Sequence, residues 1–199
     1  IKATTSGVPA IPAVLSATGI SQGVFIANWS SSATADGYRI DVSTDEAFTS
    51  MVSGYNDHDA GNNLSIDVTG LQANTQYYYR VRAYNEFGSS GNSEVMPVTT
   101  LMNPPPAPAG LTAGSCNDLV TLSWGQISEP NFFRYYIYGG TSAGPEAIID
   151  STENISEISI TLPGLTNGTT YYFRVTAVNT AGMSSPFSNE VSVVVKTGA

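Results

Sequence analysis

The chain has 199 residues, 41% of them apolar and only 12% charged, with a formal net charge of −9. That apolar share excludes wholesale disorder, and the length suits one large domain or two of about 100 residues. Neither half carries a basic patch, so the acidic surface argues against nucleic acid and anionic lipid as partners. No apolar run is long enough to span a bilayer.

The start, Ile1 to Gly7, reads as a polar leader rather than a signal peptide, and the lack of an initiator Met suggests a piece of a longer polypeptide. Beyond it, short alternating runs bounded by Gly, Asn, Ser and Pro predict strands at 12–18, 23–29, 37–44, 50–55, 64–68, 75–85 and 93–100. Phe25, Ala27 and Trp29 share one face of the second run. In the sixth, Tyr77, Tyr79, Val81 and Ala83 face one way, while Tyr78, Arg80, Arg82 and Tyr84 face the other.

Between the predicted fourth and fifth strands lies Asp57-His58-Asp59-Ala60-Gly61-Asn62-Asn63. Asp57, Asp59 and Asn62 echo the start of an oxygen-rich calcium loop, but the downstream bidentate Glu is missing. Asx residues in such loops also bond their own backbone, and that reading is favoured. Leu101-Met102-Asn103-Pro104-Pro105-Pro106-Ala107-Pro108 then predicts a stiff, extended linker and an elongated pair of domains.

The second series of strands is predicted at 109–115, 118–124, 134–141, 147–151, 158–162, 169–179 and 188–195. Trp124 follows Trp29 by 95 residues (124 minus 29), and Tyr171 follows Tyr77 by 94 (171 minus 77). Two landmarks at nearly one offset mark an internal duplication.

Each repeat closes its second strand with Trp29 or Trp124 and opens its third with Tyr38 or Tyr135. The sixth carries Leu71-x-x-x-Thr75-x-Tyr77 and again Leu165-x-x-x-Thr169-x-Tyr171. On these motifs both repeats resemble fibronectin type III domains over nearly the whole chain. The resemblance implies an all-β fold: two immunoglobulin-like, seven-stranded β-sandwiches, at 8–100 and 109–197, joined by a Pro-rich linker at 101–108. It also implies that Tyr77 and Tyr171 are tyrosine corners bonded to upstream backbone. The core then centres on Trp29, Tyr38, Leu71, Tyr77, Trp124, Tyr135, Leu165 and Tyr171. Stretches such as Tyr138-Gly139-Gly140-Thr141-Ser142 further resemble the fibronectin-like repeats of large secreted bacterial proteins, where such repeats separate functional domains.

Catalysis finds little support. His58 is the only histidine, so a two-histidine metal site is impossible. Cys116 is the only cysteine, which rules out an intramolecular disulfide, and its neighbour Asp118 does not favour a thiolate. No nucleophile-elbow or zinc-protease motif occurs. The leading expectation is therefore a non-catalytic, cofactor-free, monomeric module of a secreted or cell-surface protein, whose partners are the other domains of its own polypeptide. The alternative is a module binding a glycan or an extracellular protein. Its contacts would be the outward Tyr78 and Tyr172, with Tyr84 and Tyr136 beside them, or the loop residues Phe87 and Met183. Arg80, Arg82 and Arg174 share that outer face with stems able to cover the rings, and cross-strand packing competes with binding as their explanation.

Overall fold

The computed structural model describes residues 7–197 and contains only strands, turns and loops. All but the last residue of the polar leader lies outside the described residues. The chain divides into two compact units that part between Asn103 and Pro104. Among the described residues no helix is long and apolar enough to cross a membrane.

The first unit contains β1 (Val14–Thr18), β2 (Phe25–Trp29), β3 (Gly37–Ser43), β4 (His58–Gly61), β5 (Ser65–Val68), β6 (Gln76–Asn85), β7 (Gly88–Ser89) and β8 (Met96–Thr99). Its sheets run β1-β2-β5 and β4-β3-β6-β7, with β8 also paired to β6. The second unit contains β9 (Thr112–Cys116), β10 (Leu119–Ser123), β11 (Phe132–Gly140), β12 (Ile148–Ser151), β13 (Ser159–Leu162), β14 (Thr170–Asn179) and β15 (Val191–Val194). Its sheets run β13-β10-β9 and β12-β11-β14-β15.

Period-two alternation explains the packing. Phe25, Ala27 and Trp29 of β2 are buried and meet buried Tyr38, Ile40 and Val42 of β3 and Tyr77, Tyr79, Val81 and Ala83 of β6 in one core. Val120, Leu122, Tyr135, Ile137, Phe173, Val175 and Ala177 build the other, with Trp124 just past β10. Leu71, Leu165 and Tyr171 sit partly buried at the margins of these cores. Trp29 lies 5.9 Å from Tyr38 and Trp124 5.1 Å from Tyr135, centroid to centroid.

Phenols then tie loop backbone to each core. Tyr38 and Tyr135 hydroxyls accept the amides of Ser32 (2.8 Å) and Ile127 (3.0 Å). Tyr77 and Tyr171 hydroxyls accept those of Gln72 (2.9 Å) and Thr166 (3.2 Å), which closes the turn before each sixth strand. Gly70 and Gly164 both open that turn at φ 75°, a left-handed backbone that a side chain would strain.

Two strand expectations need correction. No strand forms at 50–55. Val52 and Tyr55 both hydrogen-bond Val42, Met51 makes only an isolated bridge to Ser43, and Gly54 (φ 87°) and Asp57 (φ 58°) break the extended run. The ladder beside β3 resumes at His58, so β4 occupies part of the candidate calcium loop. The loop expected after the sixth strand of the first repeat also holds the short β7, which folds back on Tyr84 and Asn85.

Candidate functional site

Reactive side chains do not converge. His58 Nδ1 lies 2.9 Å from Gly54 O, and its ring packs 5.3 Å from Tyr55. Cys116 is exposed at the end of β9, before a two-residue turn formed by Asn117 (φ 51°) and Asp118 (φ 61°). Asp57 is bound by Arg39 and Arg82, while Asp59 accepts the Gly61 amide (2.8 Å) and the Tyr84 hydroxyl (3.0 Å). The two carboxylates are thus held by separate partners, and Asn62 is exposed beside them. Among the described residues no cluster of three His, Cys, Asp or Glu side chains is placed to hold a metal. A cleft of about 220 Å³ opens in the second unit between Gly139 and Gly140, Ile149, Leu165 and Tyr171, with Asp150 as its one charged lining residue.

The chemistry that does gather lies on the outer faces of the β3–β6 and β11–β14 pairs. In the first unit Asp41, 1% exposed, accepts from Arg80 Nε (3.0 Å), Arg82 Nη1 (2.9 Å) and the Asp57 amide (2.8 Å). Burial pushes its carboxyl up, but the Arg82, Asp57 and Arg80 bonds together outweigh it and hold it below the usual range. Arg82 continues to Asp57 and to Asn92 (3.1 Å), and Arg39 reaches Asp57 at 2.7 Å. The face carries alternating charges paired between β3 and β6 and with Asp57, which precedes β4.

On the second unit's face, the register that sets Asp41 opposite Arg80 sets Tyr138 opposite Arg174. Arg174 lies 3.8 Å from the Phe187 ring, which meets Tyr138 edge-on at 4.9 Å. Arg134 lies 4.3 Å from the Phe133 ring. All four ion pairs among the described residues belong to the first unit.

Tyr78, Tyr84, Tyr136 and Tyr172 are half-buried, Phe87 is 54% exposed and Met183 is half-buried. The guanidinium groups of Arg80 and Arg174 meet phenylalanine rings carried by loops. They stack on Phe48 (4.0 Å) and Phe187, while Arg39 lies over Tyr84 at 5.2 Å. The loops carrying Phe48 and Phe187 reach over the sheet and take the arginines first. Sequence reasoning passed over Asp41, Phe133, Arg134 and Phe187. Asp41 had one available signal, a lone acid at an outward position beside two outward arginines.

The fold and the two faces define a tandem β-sandwich module. The fibronectin type III family model matches residues 10–99 and again 105–194, and the chain belongs to that family. It is 31% identical to Exoglucanase B of Cellulomonas fimi, across 95% of this chain and 17% of that protein. It is equally 31% identical to Chitinase A1 of Niallia circulans (71% of this chain, 21% of that protein) and to a Kelch domain-containing protein of Saccharolobus solfataricus (84% and 22%). The chain therefore spans about a fifth of the length of these relatives. A crystal structure of the FN1–FN3 domains of chicken CNTN1 aligns over 97% of this chain and 69% of its own, with 22% identity and a TM-score of 0.45.

Proposed function

We propose that this chain is a non-catalytic spacer and interaction segment within a larger secreted or cell-surface protein. The reading is carried by the two separate cores, each closed by its own Trp–Tyr pair and two phenol–amide ties. Such self-contained sandwiches hold their neighbours apart without themselves supplying a reactive cluster. Relatives named as an exoglucanase and a chitinase support a place beside a glycan-acting domain. The purified chain is expected to run as a monomer in sizing with light scattering and to release no product from a panel of chromogenic glycosides. Turnover that survives purification to homogeneity would refute the non-catalytic reading.

Exposed Phe87 favours a second reading, in which the module also contacts a glycan or an extracellular protein through Tyr78, Tyr172, Phe87 or Met183. Pull-down from the native surroundings with wild type and Phe87→Ala tests it. Equal capture by both removes that loop from the contact.

A further inference from the structure

The second domain's outer face differs from the first in a way that selects a ligand. Arg134 and Arg174 carry their guanidinium groups against the rings of Phe133 and Phe187, at the two ends of one sheet face. Arg134 pairs with Val178 and Arg174 with Tyr138, so they stand four positions apart, about 13 Å at the usual strand rise. Tyr136 and Tyr138, both half-buried, lie between them on the same face. Among the described residues neither arginine has a carboxylate within ion-pair reach, and Arg174 gives one hydrogen bond, from Nη2 to Pro145 O at 2.6 Å. At the place matching Arg174 in the first domain, Arg80 is instead paired with the Asp41 carboxylate.

We infer that this face, the Phe133–Arg134 and Phe187–Arg174 pairs bracketing Tyr136 and Tyr138, is a platform for a neutral polysaccharide; the inference rests on the glycan-binding reading above and moves it to new residues. Pyranose rings offer an apolar C–H face to an aromatic ring and hydroxyl oxygens at their rim to a guanidinium. Here the two guanidinium groups stand at the ends of the row of rings; their Nε atoms are buried, so the Nη atoms are the donors a sugar would meet. The chain's charge of −9 disfavours a polyanion at long range, so the arginines select oxygen acceptors rather than opposite charge. A docking peptide strand would use the backbone groups of a sheet edge, whereas these groups lie on the sheet's face.

Native gels cast with hydroxyethyl cellulose, polygalacturonate or poly-glutamate test this on the full chain. Hydroxyethyl cellulose is expected to retard it equally at low and high salt, since no ion pair is screened. Arg174→Gln and Tyr136→Ala each weaken that retardation at least about tenfold, the usual loss for a central contact. Calorimetry of the second domain's melting transition checks folding. Should Tyr136→Ala lose that transition, Tyr136→Leu keeps bulk without the ring and gives the same readout. Retardation lost in Tyr78→Ala or Phe87→Ala but kept in Arg174→Gln overturns this site and leaves the glycan-binding reading standing. Retardation by polygalacturonate or poly-glutamate alone overturns the neutral class. Retardation by none of the three overturns the inference, and the spacer reading survives.

Discussion

The two domains share an inside and differ outside. Their cores use the same indole, the same phenols and the same alternating rows, while their outer faces solve one problem by opposite chemistry. In the first, Asp41 sits opposite Arg80 and binds Arg82 as well. In the second, Tyr138 sits opposite Arg174 and Thr176 stands where register predicts the counterpart of Arg82. Both Arg80 and Arg174 are nonetheless capped by a phenylalanine, Phe48 or Phe187, from a different loop each time. A long cationic side chain in mid-sheet thus needs a surface for its stem and a partner for its head. The first domain gives the Arg80 head a ring and a carboxylate, and the second gives the Arg174 head a ring and the Pro145 carbonyl.

The shared interior gives the largest effects. Trp29→Ala and Trp124→Ala should each cost about 3–5 kcal/mol through lost burial and a residual cavity. Scanning calorimetry should show each abolishing or sharply lowering its own domain's transition while the other remains. Wild-type melting of both variants would overturn the assigned cores.

The contrast between faces predicts the next effect. Asp41→Asn keeps the shape but strips the charge that two arginines address, and should cost about 2 kcal/mol, discounted because both arginines are partly exposed. Tyr138→Ser, at the matching place, should lower the second domain's transition less, since no buried charge is orphaned. Equal losses would erase the distinction between an ionic and an aromatic face.

Acid sharpens the same comparison. Asp41 titrates lower in the folded chain than its ordinary 3.8, and Asp45, held by the Thr49 and Ser50 amides, falls to about 2. Asp59 is lowered too, by the Gly61 amide and the Tyr84 hydroxyl. A depressed carboxylate stabilises the fold fully above its unfolded value and loses that contribution as pH falls through the folded value. The first domain's melting temperature should therefore fall steadily from about pH 4 toward pH 2. Asp41→Asn should flatten that fall, and a wild-type transition unmoved over this window would contradict the network. The smallest effect is at Arg39, whose pair with Asp57 is 37% and 45% exposed. Arg39→Gln should cost under about 1 kcal/mol, and the difference should vanish in high salt.

The inward rows were legible because each depends on a chain's own alternation. Trp29, Tyr77 and Val81 bury themselves wherever a strand with that period meets an opposing sheet. Even the turn before each sixth strand shows in the sequence, since Asn74 and Gly168, both at positive φ, stand where a left-handed residue is needed. The strand at 50–55 was misplaced because its pattern is locally sound. Only the turn in which the Tyr55 amide bonds Val52 O and the left-handed residues Gly54 and Asp57 make it a loop.

Period two by itself marked the strands and the side chains that turn inward, because burial needs only the side of the strand; the repeat offset and the family resemblance implied two sandwiches. Tertiary structure decided which outward groups meet. The bulge between Phe132 and Arg134 brings Phe133 to Arg134, and the loops bearing Phe48 and Phe187 fold over the sheets to meet the arginines. Those encounters depend on register and on loops distant in sequence, and no local periodicity encodes them.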